Sequence, residues 1–323
     1  MPSEFELIAR HFSPPTHHTV LAGGDDAALI AVAPGMELAV STDMLVAGRH
    51  FVEGTDAERL GHKTLAVNLS DMAAMGAAPR WATLSLALPR ADEAWMDAFM
   101  RGFMALANEH GVDLIGGDTT AGPLNLCVQI MGEVPAGQAL RRSGARAGDV
   151  VWVSGSLGEA AIGLRHLRGE WSLPEPERTR CVARLERPQP RVRLGLALRG
   201  IAHAAIDISD GLLADLGHLA ERSRVHAVLR WRQLPLPESA ARQGGDIDAL
   251  RAAVLAGGDD YELCFTAPAQ ATAAVHALAQ RLSLRLTAVG HIEEGDGVAV
   301  YDDDGAPLRL RVCGFDHFRP NSD

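Results

Sequence analysis

Short apolar runs rich in Val, Ile, Leu and Thr, closed by Gly, Pro or Asp, mix along the chain with longer segments of helical period. The short runs predict strands over Met36–Leu45, Arg80–Leu88, Asp113–Gly117, Leu124–Val134, Val150–Ser154, Ala204–Ile208, Tyr261–Thr266 and Gly297–Tyr301. The longer segments predict helices over Glu4–Arg10, Ala57–Met75, Glu93–Glu109, Gly158–Leu167, Gly211–Arg222, Ile247–Leu255 and Ala269–Arg281. Within 93–109, Trp95, Phe99, Phe103 and Leu106 share one face, which marks them as the core stripe of an amphipathic helix. A Gly-, Ala- and Arg-rich segment between Val134 and Asp149 separates two strand candidates and predicts a domain boundary. Gly169–Pro176 reads as a loop, and Trp231–Asp246, with Pro235, Pro237 and Gly244-Gly245, as an exposed connection.

Length and charge narrow the classes. A chain of 323 residues suits two domains, and 47% hydrophobic residues supply a real core. A net charge of −11 without a basic run argues against non-specific nucleic-acid binding. No apolar run is long enough to span a membrane, and Met1–Phe12 lacks the pattern of a secretion signal. Cys127, Cys181, Cys264 and Cys313 form no Cys-x-x-Cys pair, so a reduced, cytoplasmic protein is expected. Lys63 is the only lysine. It stands in Gly61-His62-Lys63-Thr64, where His62 occupies the position a P-loop reserves for glycine, so any nucleotide is held without that loop.

The aspartates carry most of the chemistry. Asp26, Asp43, Asp71, Asp118, Asp207, Asp210, Asp259 and Asp260 sit among apolar residues, where they follow glycine pairs or end apolar strands. Each alone reads first as a turn or cap residue. Their recurrence beside Ser and Thr hydroxyls reads as a set of hard oxygen ligands for several magnesium ions carrying a polyphosphate. The adjacent glycines would let backbone amides approach an anion.

Six motifs, spanning nearly the whole chain in order, resemble those of the thiamine-monophosphate kinase family. They are Gly23-Gly24-Asp25-Asp26-Ala27-Ala28-Leu29, the run Ser41-Thr42-Asp43 to Gly48-Arg49-His50-Phe51, Asn68-Leu69-Ser70-Asp71-Met72-Ala73-Ala74-Met75-Gly76, Gly116-Gly117-Asp118-Thr119-Thr120, Ile206-Asp207-Ile208-Ser209-Asp210-Gly211 and Gly257-Gly258-Asp259-Asp260-Tyr261-Glu262-Leu263. The resemblance implies a mixed α/β, two-domain fold like that of aminoimidazole ribonucleotide synthetase. Residues 1–140 would form an N-terminal ATP- and magnesium-binding α/β domain whose strands build a barrel shared across a homodimer. Residues 149–323 would form a C-terminal α/β domain with a substrate-contacting tail. The implied reaction is ATP-dependent phosphorylation of thiamine monophosphate, the last step of thiamine diphosphate biosynthesis.

Carried over by motif, Asp26, Ser41, Thr42, Asp43, Asp71, Asp118, Asp207 and Asp210 would ligate magnesium, with Asp43, Asp71 and Asp210 catalytic. Gly117, Asp118, Arg142 and Ser209 would contact ATP, and His50, Asp259 and Phe315 the thiamine phosphate. The chain departs from the family at Asp259, where glutamate is usual, and at His110, where the family often has an adenine-contacting tyrosine. The different-class alternative is a non-catalytic nucleotide or cation sensor on the same scaffold.

Overall fold

The computed structural model describes residues 10–12, 14–237, 246–308 and 314. The predicted helix Glu4–Arg10, except its last residue, and the substrate contact expected at Phe315 lie outside them. The chain divides into two compact units, Met1–Ala139 with Glu186–Val192, and Leu140–Leu185 with Arg193–Asp323. The return of residues 186–192 to the first unit has no signal in the sequence.

The first unit contains strands β1 (Thr19–Leu21), β2 (Leu29–Ile30), β3 (Met36–Val46), β4 (Ala78–Leu88), β5 (Asp113–Ala121) and β6 (Asn125–Pro135), with helices α1 (Ala57–Ala74) and α2 (Glu93–His110). The four longer strands form one sheet in the order β3-β6-β4-β5, with only β4 and β5 parallel. Helix α1 packs on one face of this sheet and against α2. The predicted stripe is core: Phe99, Phe103 and Leu106 are buried, and Trp95 stacks on Phe99 at 5.1 Å between ring centroids.

The two helices meet backbone to backbone. A Cβ added at Gly61 would fall 1.9 Å from the Phe99 carbonyl oxygen, and one at Gly102 would fall 1.8 Å from that of Glu58. Gly61 and Lys63 therefore belong to the buried interior of a helix, which is no place for a phosphate loop.

The second unit has strands β7 (Asp149–Ser154), β8 (Ala204–Ile208), β9 (His226–Arg230), β10 (Glu262–Pro268), β11 (Leu286–Glu293) and β12 (Gly297–Tyr301). They form one sheet in the order β12-β9-β11-β7-β10-β8, antiparallel except for β12 with β9. Its helices are α3 (Glu159–Leu167), α4 (Glu177–Glu186), α5 (Val192–Leu198), α6 (Leu212–Ser223), α7 (Ile247–Ala256) and α8 (Thr272–Leu282). The pleat of β7 divides the core. Val151 and Val153 join Ile206, Ile208, Leu212, Leu216, Leu219 and Val254 in one cluster. Trp152, on the other face, stacks on Phe265 and meets His276 of α8 edge-on.

Two readings of the sequence need correction. The 231–246 segment is not an exposed connection throughout, because Trp231 and Leu234 are buried in the main cluster and Trp231–Gln233 forms a 3₁₀ turn. Asp43 and Asp118 do not end their strands. Asp43 pairs with Val128 three residues before the end of β3, and Asp118 pairs with Ser85 within β5.

Replacing a helical glycine by alanine ordinarily stabilises a helix by up to about 1 kcal/mol. At Gly102 the added methyl would strike the Glu58 backbone. Gly102→Ala should therefore destabilise the protein, by about 1–3 kcal/mol, as overpacking does. Urea denaturation reads the outcome.

Candidate functional site

In the first unit, strand alternation sorts the residues of Ser41-Thr42-Asp43. Ser41 pairs with Ile130 and Asp43 with Val128, so both side chains share the face on which these apolar partners are buried. Helix α1 covers that face. The Ser41 hydroxyl donates to the Asp71 carboxylate, and the Asp43 amide donates to Asn68 Oδ1 at 3.2 Å. Asn68 is fixed in turn by its Nδ2, which donates to the Thr64 carbonyl at 3.0 Å. Ser41, Asp43 and Asp71 are thereby brought together on a frame of backbone and helix. Thr42 pairs with exposed Gln129 on the opposite face, so its hydroxyl does not share their environment.

His50 follows in the tight turn after β3. Its Nδ1 accepts the Val46 amide hydrogen at 3.0 Å, and its own amide donates to the Val46 carbonyl. A neutral ring fixed in this way carries its hydrogen on Nε2 and presents that nitrogen as a donor. Asp26 and Asp118 are exposed. Gly117 has a packing reason to be glycine, since a Cβ there would lie 1.8 Å from the Leu84 carbonyl oxygen of β4. His110 ends α2 partly buried, and that burial lowers its pKa.

In the second unit, Asp207 is buried near the end of β8, and Ser209 and Asp210 lie in the turn leading to α6. Asp210 does not cap this helix. Gly211 is the N-cap, and the amides of Ser209, Asp210 and Gly211 all donate to Asp215 Oδ2, at 3.0, 3.0 and 3.1 Å. Burial first, and the charges of Asp207 and Asp210 next, push the Asp215 carboxyl up to about 8.

The loop bearing Asp259 is tied to the same turn. Its amide donates to the Ser209 carbonyl and the Tyr261 amide to that of Ile208, both at 2.8 Å. Asp259 and Tyr261 take left-handed backbone angles, φ +68° and +49°, an uncommon conformation for non-glycine residues. Asp260 accepts the Gly158 amide with both carboxylate oxygens, at 2.9 and 3.1 Å.

Arg142 lies exposed on a loop gathered around one hydroxyl. Ser223 Oγ accepts from the Gly144 and Ala145 amides at 3.0 and 3.1 Å and donates to the Arg142 carbonyl at 2.7 Å. Sequence reading missed Asn68, Asp215 and Ser223. Asp215 carried a signal, as an acid inside the apolar run Leu212-Leu213-Ala214-Asp215-Leu216. Ser223 carried none, because its partners lie some eighty residues earlier in the chain.

The donors available to a metal are oxygens. A serine hydroxyl is held against one carboxylate in the first unit, and Asp207 and Asp210 stand close enough to act together on Asp215 in the second. Among the described residues, no three His, Cys, Asp or Glu side chains are gathered closely enough to hold an ion between them. Magnesium on a nucleotide requires less, since one or two carboxylates suffice when water and phosphate oxygens complete the shell. The residues fit that ion.

Residues 24–134 match the family described as AIR synthase related protein, N-terminal domain, and residues 146–303 match its C-terminal domain. The thiamine-monophosphate kinase of Salmonella typhimurium is 44% identical over 98% of both chains. The chain belongs to the thiamine-monophosphate kinase family. The crystal structure of thiamine-monophosphate kinase from Stenotrophomonas maltophilia K279a is similar at a TM-score of 0.84 and 51% identity, covering 90% of this chain and 92% of that one. AaThiL complexed with AMPPCP and TMP is similar at a TM-score of 0.77 and 33% identity, covering 91% of each chain. In this kinase-family fold, Ser223 organises the Arg142 loop. Ser223→Ala would leave two amides without their acceptor and should cost about 1–3 kcal/mol of stability in a denaturant titration.

Proposed function

We propose that this protein phosphorylates thiamine monophosphate with ATP, giving thiamine diphosphate and ADP. The observation that carries the reading is the 44% identity to a thiamine-monophosphate kinase across 98% of both chains, supported by the likeness to AaThiL complexed with AMPPCP and TMP. A terminal phosphate oxygen of thiamine monophosphate attacks the γ-phosphorus in line. The new P–O bond forms as the bond to the ADP oxygen breaks. The attacking oxygen is already anionic near neutral pH, so no strong general base is needed, and the protein's work is positioning and charge neutralisation.

The metal ligands proposed are Asp26, Ser41, Asp43, Asp71, Asp118, Asp207 and Asp210, with any part played by Thr42 falling to its backbone rather than its hydroxyl. Bound magnesium would neutralise phosphate charge and bridge phosphate oxygens. Ser41 and Asn68 hold the Asp71 carboxylate and the Asp43 backbone in place. Gly117, Asp118, Arg142 and Ser209 are assigned to ATP, with Arg142 as the side-chain cation. His50 and Asp259 are assigned to thiamine phosphate, His50 as an Nε2–H donor rather than a base.

A homodimer is part of the proposal. β3 is an edge strand whose outer face exposes Met36, Leu38, Val40 and Met44, and a long apolar edge of this kind calls for a cover. A second copy supplies one. No helix among the described residues is long and apolar enough to cross a membrane, and we place the enzyme in the cytoplasm.

Incubation with ATP, Mg²⁺ and thiamine monophosphate should yield thiamine diphosphate. Nucleotide binding without product would overturn the reading in favour of a sensor. Asp43→Asn and Asp71→Asn should each lower kcat by roughly 10²-fold or more at saturating Mg²⁺, as expected when preorganised electrostatics are removed. His50→Gln should raise KM for thiamine monophosphate while leaving kcat nearly unchanged. Val40→Asp should shift the protein from dimer to monomer in sedimentation, and an unchanged dimer would remove β3 from the interface.

A further inference from the structure

Three consecutive backbone N–H groups aimed at one point form a concavity that ordinarily receives an anion. In the Ser209–Gly211 turn that point is already occupied from within, by the acceptor oxygen Asp215 Oδ2. These amides are consequently committed, so the turn offers an incoming ligand no N–H group from Ser209 or Asp210. The same turn carries a second loop, through the Ser209 carbonyl to the Asp259 amide and the Ile208 carbonyl to the Tyr261 amide. The fit leaves little slack, since a Cβ added at Gly258 would stand 2.4 Å from the Ser209 carbonyl oxygen. Asp215 is buried on the first turn of α6, beneath residues that follow a buried strand.

We propose that Asp215 is a positioning residue for metal and nucleotide binding: its single acceptor oxygen sets the backbone of Ser209–Gly211 and thereby the placement of the Ser209 and Asp210 side chains. The proposal rests on the assignment of those two residues to ATP and magnesium given above. Asp215 touches neither substrate nor metal and acts through the amides it gathers. What matters is the position of an acceptor atom, because the contacts Asp215 makes are to three uncharged peptide N–H groups.

The test compares three substitutions in the full-length protein. Asp215→Asn keeps an acceptor oxygen in place and removes the ionisable group. Asp215→Glu keeps the carboxyl group and displaces the acceptor by one methylene. Asp215→Ala removes both. The probe is Mn²⁺ with a non-hydrolysable ATP analogue, followed by calorimetry and by the electron paramagnetic resonance of the bound ion, with far-UV circular dichroism as the check on folding. Supporting residues around a metal site typically contribute about 10- to 100-fold in affinity, so Asp215→Ala and Asp215→Glu should weaken binding by about that factor while Asp215→Asn stays within about threefold of the unsubstituted protein.

A folded Asp215→Glu or Asp215→Ala protein that binds like the unsubstituted one would overturn the proposal. So would Asp215→Asn binding as poorly as Asp215→Ala, or failing to fold. Should Asp215→Ala itself not fold, the Asn and Glu variants decide. If the unsubstituted protein binds the nucleotide yet makes no thiamine diphosphate, the kinase reading fails and the binding comparison still judges Asp215.

Discussion

Like-charge repulsion is the constraint to which the rest of the structure answers. The chain carries 41 acidic residues and a single lysine, which is buried inside α1. Aspartates that must stand near one another therefore cannot all be held in place by lysine. They are held by hydrogen-bonding partners instead: a serine hydroxyl for Asp71, an asparagine amide for the Asp43 backbone, three consecutive peptide N–H groups for Asp215 and a bidentate peptide contact for Asp260. Fixed dipoles of this kind hold a carboxyl group in place without supplying a counter-charge. Among the described residues, arginine ion pairs such as Arg59 with Glu186 and Arg178 with Glu175 involve residues to which no role in the site is assigned.

Much of the fold was legible because burial imposes periodicity. The strands from Met36 to Val46, Ala78 to Leu88, Ala204 to Ile208 and Gly297 to Tyr301 follow their apolar runs closely, and α2 follows its aromatic stripe. Helix α4 was missed because Glu177–Glu186 is dominated by charged side chains and buries little besides Cys181 and Leu185. Strands β9 and β11 were missed because His226, Arg230, Gly290 and His291 interrupt their apolar pattern, and partner strands rather than composition define them.

The site was legible in part for the same reason. Its carboxylates lie in local motifs that a linear reading recovers. The groups that hold them are mostly distant in sequence: Ser41 and Asp71 are 30 residues apart, and Ser223 and Gly144 are 79. Thr42 is a different case. The resemblance assigns it to magnesium beside Ser41 and Asp43, and the two-residue period of a strand turns its side chain to the other face.

Helix α6 carries Asp215 in its first turn and Ser223 at its last residue, and each end holds a different loop. The eight peptide steps between them span about 12 Å of rigid rod. The helix thus works as a gauge block between the turn of Asp210 and the loop of Arg142. Its length in residues sets their separation, and inserting a single residue would swing one end by about 100° relative to the other. Substitutions along its exposed side leave that setting intact, whereas a change of one residue in length does not, so α6 is free to drift in composition but not in register.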